Sequence, residues 1–200
     1  MRINALKFPE KLEPFKGVIL FAVVMMVSNF FWKYNVLGDE VNRLDSVVTF
    51  WGINISAPFI WMAKHSAMLS VAILNFLGSD VILKPGNIFE HTTGYRIQIV
   101  WACTGLKQAY IFFCILAFSR GSWRKKLWYI PLGLLIVFVF NIFRIVFIIG
   151  ISEYHPEWFH FLHIYAFKYS FYGIIFLMWV LWEEKISKKK LKNTHTEITQ

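Results

Sequence analysis

Cys103 is the first residue of this sequence whose placement suggests chemistry. It lies in VWACTGLKQAY, residues 100–110, between a short alternating run and a long apolar stretch. The start of a helix offers unpaired N–H groups and a partial positive charge, and both favour the nucleophilic thiolate form of a cysteine. Gly105 just inside the predicted helix leaves room for another group to approach. The alternative is a small packing residue, which is what we expect of Cys114 deeper in the same helix.

The sequence NIFR at 141–144 is a second feature that suggests a site, because it interrupts a long apolar run. Asn141 and Arg144 are one helical turn apart and share a face. A charge inside a membrane costs at least about 2–3 kcal/mol unless it is paired, so an arginine there indicates a functional site. The structural alternative is a pair between Arg144 and Glu153, or with a carbonyl of a neighbouring helix.

Three histidines lie in ISEYHPEWFHFLHIYAFKYSFYG, residues 151–173. Each of His155, His160 and His163 could act as a general base near neutral pH, or could simply be a polar residue at a membrane interface. His160 and His163 also have a spacing that two metal ligands could use. No third ligand has a suitable spacing and HExxH is absent, so we predict no metal and no cofactor.

The composition shows what kind of molecule must position these residues. The 200 residues are 57% hydrophobic and 19% aromatic, with a mean hydropathy of +0.51. A soluble domain of this size could not bury so much apolar surface, so we predict an all-α polytopic membrane protein. We expect a single membrane domain over 1–200, with a cytoplasmic N-terminus (1–16), a membrane-embedded core (17–183) and a basic cytoplasmic tail (184–200).

Basic residues gather at the N-terminus, at 119–128 and in the tail, and by the positive-inside rule all three segments lie in the cytoplasm. No basic stripe with interleaved aromatic residues lies elsewhere, so no nucleic-acid partner is expected. Apolar runs predict about four transmembrane helices, at 16–35, 102–119, 127–150 and 166–183.

The segment 44–80 is apolar but broken by Gly52 and Pro58. It must cross the membrane an even number of times, because the flanking helices leave and re-enter the cytoplasm. Two spans of about 15 residues would be short, so we favour a helical segment at the outer interface, with a two-span hairpin as the alternative. Residues 81–101 contain the turn Pro85-Gly86 and alternate from Tyr95 to Val100, which predicts a small extracytoplasmic hairpin leading to Cys103.

This topology brings Cys103, Arg144 and His163 to the outer side of three different helices. A histidine that deprotonates a thiol, with a cation to stabilise an oxyanion, is a constellation for thiol acyl transfer. Two other functions remain open from the residues alone. One is a non-catalytic membrane assembly subunit or chaperone with an inert Cys103. The other is a small transporter that uses Arg144 and the histidines, against which the absence of inverted repeats argues.

Three motifs together resemble a known family. ACTGL at 102–106, NIFRI at 141–145 and a later histidine before FYGIIF at 171–176 are similar to the motifs of the exosortase/archaeosortase family, over about residues 57–183. Thr104 and Lys107 stand where Ser and Arg are frequent, and both replacements keep the hydroxyl or the cation. The small size and the last aromatic helix resemble the short variants of the Bacteroidetes or flavobacterial type.

The resemblance implies a membrane cysteine transpeptidase that cleaves C-terminal sorting signals of the PEP-CTERM kind from secreted proteins. It implies Cys103 as nucleophile, Arg144 as oxyanion or carboxylate partner, and His163 as base. We choose His163 over His160 because it immediately precedes the aromatic run of the last helix.

Asn141, Gly105 and Thr104 are expected to support the three catalytic residues. The expected partners are the sorting signal, the lipid bilayer and an acceptor nucleophile of unknown identity. The expected location is the bacterial cytoplasmic membrane, with the site facing outwards.

Overall fold

The computed structural model describes residues 15–38 and 47–187, and most of both predicted cytoplasmic termini lies outside these ranges. Its first four helices are α1 (Lys16–Asn35), α2 (Ser56–Phe76), α3 (Leu106–Phe118) and α4 (Trp123–Ser152). A last continuous helix follows, made of α5 (Trp158–Phe161), a π-helical turn (Leu162–Ala166), α6 (Phe167–Leu181) and a second π-helical segment (Trp182–Ser187).

Four described helices are long and apolar enough to span a membrane, which confirms the all-α polytopic class. They are Lys16–Asn35, Ser56–Phe76, Trp123–Ser152 and Trp158–Lys185. The predicted start of the second span near Ala102 is wrong, because Gly105 takes a left-handed conformation with φ of 77° and regular helix begins only at Leu106. α3 is therefore shorter than the other helices of the bundle.

The core of the bundle forms where α3, α4 and α6 pack together with one face of α1. Gly133 lets α4 approach α3 closely, since a Cβ there would lie 2.1 Å from the ring of Phe112. At the far end of α3 the buried Lys126 donates hydrogen bonds to the carbonyls of Ala117 (2.9 Å) and Ser119 (2.7 Å). These bonds satisfy carbonyl groups that the end of a helix leaves open.

α1 and α3 are antiparallel, so the end of α1 and the start of α3 lie on the same side of the bundle. The segment that connects these two helices therefore begins and ends on that side. Near its C-terminal end α1 packs Trp32 on Tyr110 of α3, at 5.3 Å between ring centroids. Near its start it packs Phe21 on Trp179 of α6, at 5.0 Å. We call the end of the bundle that holds Trp32 and Tyr110 the Cys103 side.

The chain between α1 and α3 contains α2, which is one continuous helix. The predicted alternative of a two-span hairpin over 44–80 is therefore wrong. A single crossing by α2 would need non-helical backbone to return through hydrocarbon, which is not stable. Residues near both of its ends also contact the Cys103 side. Phe59 packs on Trp101 at 5.9 Å, and Leu74 lies against Gly150 near the end of α4. We infer from these contacts that α2 stays on that side, and its interfacial position stays a prediction.

Two small antiparallel sheets cover the Cys103 side. The first contains β1 (Val36–Gly38), β2 (Val48–Phe50) and β3 (Ile53–Asn54), and the second contains β4 (Val81–Lys84), β5 (Ile88–His91) and β6 (Arg96–Gln98). The second sheet extends the predicted hairpin by one strand, and its pairing sets Phe89 opposite Ile97. Ile97 and Ile99 are buried while Arg96 is exposed, as the alternation predicts.

Glu90 ties the second sheet together by its charge. Hydrogen bonds from Lys84 and Arg96 hold the pKa of Glu90 below its ordinary value. A lowered carboxyl pKa favours the folded sheet above the ordinary pKa, and this contribution is lost as acid protonates Glu90.

Close packing of α3 on α4 predicts a large effect of one methyl group. Gly133→Ala should lower the free energy of unfolding by about 1–3 kcal/mol, because the added Cβ overlaps the ring of Phe112. Gly173→Ala is the matched control, since a Cβ there meets nothing within 4 Å. Thermal unfolding of the purified protein in detergent measures both variants. Equal stability of the two would contradict this packing.

The inferred position of α2 predicts the accessibility of its two ends. Single cysteines at Ile53 and Leu77, both exposed, should react with a membrane-impermeant thiol reagent from the same side of the membrane. The background for both is a Cys103→Ala, Cys114→Ala chain. Arg120→Cys, at the opposite end of the bundle, should react only from the other side. Labelling of Ile53→Cys and Leu77→Cys from opposite sides would show that α2 spans the membrane.

Candidate active site

Cys103 lies in a tight turn before α3 rather than in the first turn of that helix. The segment Trp101–Cys103 is a 3₁₀ turn, and Gly105 separates it from the helix. The predicted placement of the thiol at the helix terminus is therefore wrong. The turn is closed by Thr104, whose Oγ1 donates to the carbonyl of Trp101 at 2.8 Å and accepts from the N–H of Leu106 at 3.5 Å.

Asn141 fixes this turn against α4. Its Nδ2 donates a buried hydrogen bond to the carbonyl of Cys103, at 3.0 Å. A Cβ at Gly105 would lie 3.1 Å from Cγ of Asn141, so the group for which Gly105 leaves room is the Asn141 side chain. The glycine is also needed for its positive φ, which L side chains adopt at a cost. Gly105 and Asn141 thus hold the Cys103 backbone in place together.

His163 is the histidine that lies next to Cys103. Its Nε2 is 3.8 Å from the Cys103 Sγ, and its side chain is half-buried. It belongs to the π-helical turn, a feature that often occurs at functional sites. The ring of Phe159 stacks on the imidazole with centroids 5.4 Å apart and planes inclined by 10°, which fixes the orientation of the imidazole.

The other two histidines do not reach Cys103. His160 is exposed and lies beside Tyr165, at 6.3 Å between ring centroids. His155 is also exposed and pairs with Glu157 at 3.0 Å. Of the three histidines, His163 is therefore the one placed beside Cys103, and its role as the base stays a prediction.

Arg144 is buried beside both residues, with 7% of its surface exposed. It interacts electrostatically with Cys103 and with His163. Its guanidinium lies over the ring of Phe171, at 5.9 Å from the centroid, which partly offsets the loss of water around the charge. The predicted structural alternative, a pair with Glu153, is wrong, because Glu153 instead pairs with His91 at 2.9 Å.

Two polar atoms beside Cys103 are left without partners. Within the described residues, the buried Nε of Arg144 and Oδ1 of Asn141 have no hydrogen-bond partner. Orphaned buried polar atoms are rare and costly in folded proteins, so two of them beside a thiol mark a candidate binding site. One atom is a donor and the other an acceptor, as a bound peptide group would require.

Cys114 does not belong to this site. It lies on α3, half-buried, and is hydrogen-bonded to Tyr110. In the described part of the chain no three residues of the types His, Cys, Asp and Glu are grouped so as to hold a metal ion. The residues brought together are a thiol, an imidazole and a guanidinium, which can perform acyl transfer through a thioester.

Three contacts of the site were not foreseen from the sequence. Phe159 lies four residues before His163, so helical spacing could have indicated that their rings meet. Phe171 under Arg144 and His91 beside Glu153 are far from their partners in the sequence. Nothing in the local pattern identifies either contact.

Comparison with known proteins gives one match. The family model described as transmembrane exosortase matches residues 44–182, which include Cys103, Arg144 and His163. The chain belongs to the transmembrane exosortase family. No curated protein and no solved structure matches it.

Family membership carries a coarse function. The chain is a multi-pass membrane protein with a transpeptidase-like role in protein sorting, and its substrate bears a sorting signal. That the chain is a short variant of the Bacteroidetes or flavobacterial type stays a prediction.

The contact between Gly105 and Asn141 predicts a specific effect of Gly105→Ala. An alanine at positive φ costs about 1–2 kcal/mol wherever it occurs. Only at Gly105 does the new Cβ also press on Asn141, so this variant should be less stable than Gly94→Ala, where φ is 84° and a Cβ meets nothing within 4 Å. It should also change the alkylation rate of Cys103, which Gly94→Ala should not. Identical behaviour of the two variants in a Cys114→Ala background would contradict the contact.

Proposed function

We propose that this protein is a cysteine transpeptidase that cleaves C-terminal sorting signals, of the PEP-CTERM kind, from secreted proteins. The observation that carries the proposal is the 3.8 Å approach of His163 Nε2 to Cys103 Sγ, with the buried guanidinium of Arg144 beside them. A thiol packed only to fill space would need neither neighbour.

The first half of the reaction forms a thioester. His163 accepts the Sγ proton, and the thiolate attacks the carbonyl carbon of the scissile peptide. Negative charge develops on the carbonyl oxygen, where Arg144 stabilises it by a preorganised positive charge in a site with little water. Collapse of the intermediate breaks the C–N bond, and the imidazolium of His163 returns its proton to the leaving amine.

The second half resolves the acyl-enzyme. The C-terminal tail leaves with the new amine, and an acceptor amine or water attacks the thioester carbonyl. His163 takes the proton of the incoming nucleophile, and Cys103 is released as a thiol. Because Asn141 holds the Cys103 carbonyl at 3.0 Å, the Cys103 backbone keeps its position through both halves.

Substrate recognition is proposed to begin with the apolar helix of the tail. A groove of about 620 Å³ lies between α2 and α4, lined by apolar side chains such as Ile73, Phe143 and Phe147. The same stretch of α4 buries Asn141 and Arg144 on its other face. A helix held in this groove would position the scissile peptide, which can be worth several kcal/mol of the barrier.

The proposed orientation sets the Cys103 side towards the outside of the bacterial cytoplasmic membrane. Arg120, Arg124, Lys125 and Lys126 lie at the opposite end of the bundle, which the positive-inside rule assigns to the cytoplasm. A secreted protein that arrives through the membrane would then meet Cys103 at the outer interface.

Co-expression with a secreted reporter tests the chemistry. The reporter carries a C-terminal tail from the same source, with a recognition motif, an apolar helix and a basic end, and loss of the tail is followed by mass spectrometry. Cys103→Ser should abolish processing. His163→Gln should slow it by about 10²–10⁴-fold and Arg144→Lys by about 10²–10³-fold.

Cys114→Ala is the matched control and should process the reporter like the parent protein. Processing that persists in Cys103→Ser would overturn the proposal. If Cys103→Ala also kept its function in the host, the protein would be a non-catalytic assembly subunit instead.

A further inference from the structure

A second cavity lies on the Cys103 side, next to the turn Trp101–Cys103. Its volume is about 240 Å³, and it is lined by residues of α1, β1, α2 and the segment that leads into α3. Its walls combine the aromatic rings of Trp32, Phe59 and Trp101 with the side chains of Lys33 and Lys107. Thr104 also lines it, so the cavity begins one residue from Cys103.

Two lysines from different helices line this cavity, and a third interacts with one of them. Lys107 interacts electrostatically with Lys33, which also lines the cavity, and with Lys168 of the last helix. Lys33 and Lys168 are exposed and Lys107 is half-buried. In the described part of the chain none of the three pairs with a carboxylate. Like charges in this arrangement repel, so an anion bound among them would relieve the repulsion.

The surface next to the lysines indicates which anion fits. Phe30 and Met26 precede Lys33 by three and seven residues, on the same face of α1, and both are exposed. An apolar ribbon therefore runs from the lysines towards the opposite end of the bundle. Exposed Tyr34 and Tyr169 beside two of the lysines are typical of the level of a membrane interface.

We infer that this cavity binds the phosphate of an anionic phospholipid headgroup, with one acyl chain lying along α1. The lysine ammonium groups act as point charges towards phosphate, and the apolar ribbon takes the chain. A free phosphate or an acidic peptide would use the lysines and would leave the ribbon uncovered. Lipid binding does not depend on the proposed chemistry of Cys103, and it should persist in Cys103→Ala.

The test measures binding of short-chain phosphatidylglycerol to the detergent-solubilised full chain by calorimetry. Each of Lys33→Gln, Lys107→Gln and Lys168→Gln should weaken binding by about five-fold, the equivalent of about 1 kcal/mol per cation near a membrane surface. The triple variant should lose binding. Lys64→Gln, an exposed lysine on α2, is the matched control and should bind like the parent protein.

Two further arms keep the outcome decisive. The triple Lys→Arg variant keeps the charges and should bind, which separates loss of charge from loss of fold. Inorganic phosphate alone should bind far more weakly than the lipid. Unchanged lipid binding by the triple Lys→Gln variant would overturn the inference. Equal binding of inorganic phosphate, or binding of an acidic peptide where the lipid does not bind, would overturn it as well.

Discussion

The hydrogen bond from Asn141 to the carbonyl of Cys103 is the interaction on which the arrangement of the site depends. It joins the turn before α3 to the middle of α4, so the thiol and Arg144 are held by the same helix. A single such bond contributes only about 1 kcal/mol of net stability. Its effect is larger than that figure suggests because both groups are buried, and losing one partner leaves the other without a hydrogen bond. Gly105 permits the contact by having no side chain and by taking a positive φ.

The last helix brings His163 to the Cys103 turn, and α4 brings Arg144. The last helix carries His163 in a π-helical turn and orients it by the ring of Phe159. α4 buries Arg144 over Phe171. Among the described residues its guanidinium has no carboxylate partner, and its Nε donates no hydrogen bond. Keeping a cation there is costly, as is usual for an ionisable residue in a membrane protein that serves a function. The family to which the chain belongs acts on sorting signals, which agrees with a site built around a thiol.

Residue types and periodicity were enough to predict the membrane class, while the catalytic roles of Cys103, Arg144 and His163 stay predictions. Arginine and asparagine in an apolar run stand out because their burial is costly, and the motif around Cys103 resembles that of a known family. The start of α3 could not be predicted, because the conformation of Gly105 goes together with its contact with Asn141, 36 positions later. The partner of Glu153 was missed for the same reason, since His91 reaches it only through the fold of the second sheet. Parity of crossings led to an interfacial α2 because it rests on the sides at which the flanking helices end, and that position stays a prediction.

The most direct measurement is the alkylation rate of Cys103 as a function of pH, with Cys114→Ala making it the single cysteine. If His163 activates the thiol, the chain should react at neutral pH at least about tenfold faster than the same chain carrying His163→Gln. The two rates should converge at high pH, where the thiol ionises without help. His160→Gln is the matched control: His160 is exposed to solvent and its ring lies beside Tyr165 rather than Cys103, so this variant should follow the parent curve. Identical profiles for the parent and for His163→Gln would contradict the central claim that this histidine and Cys103 work as a pair.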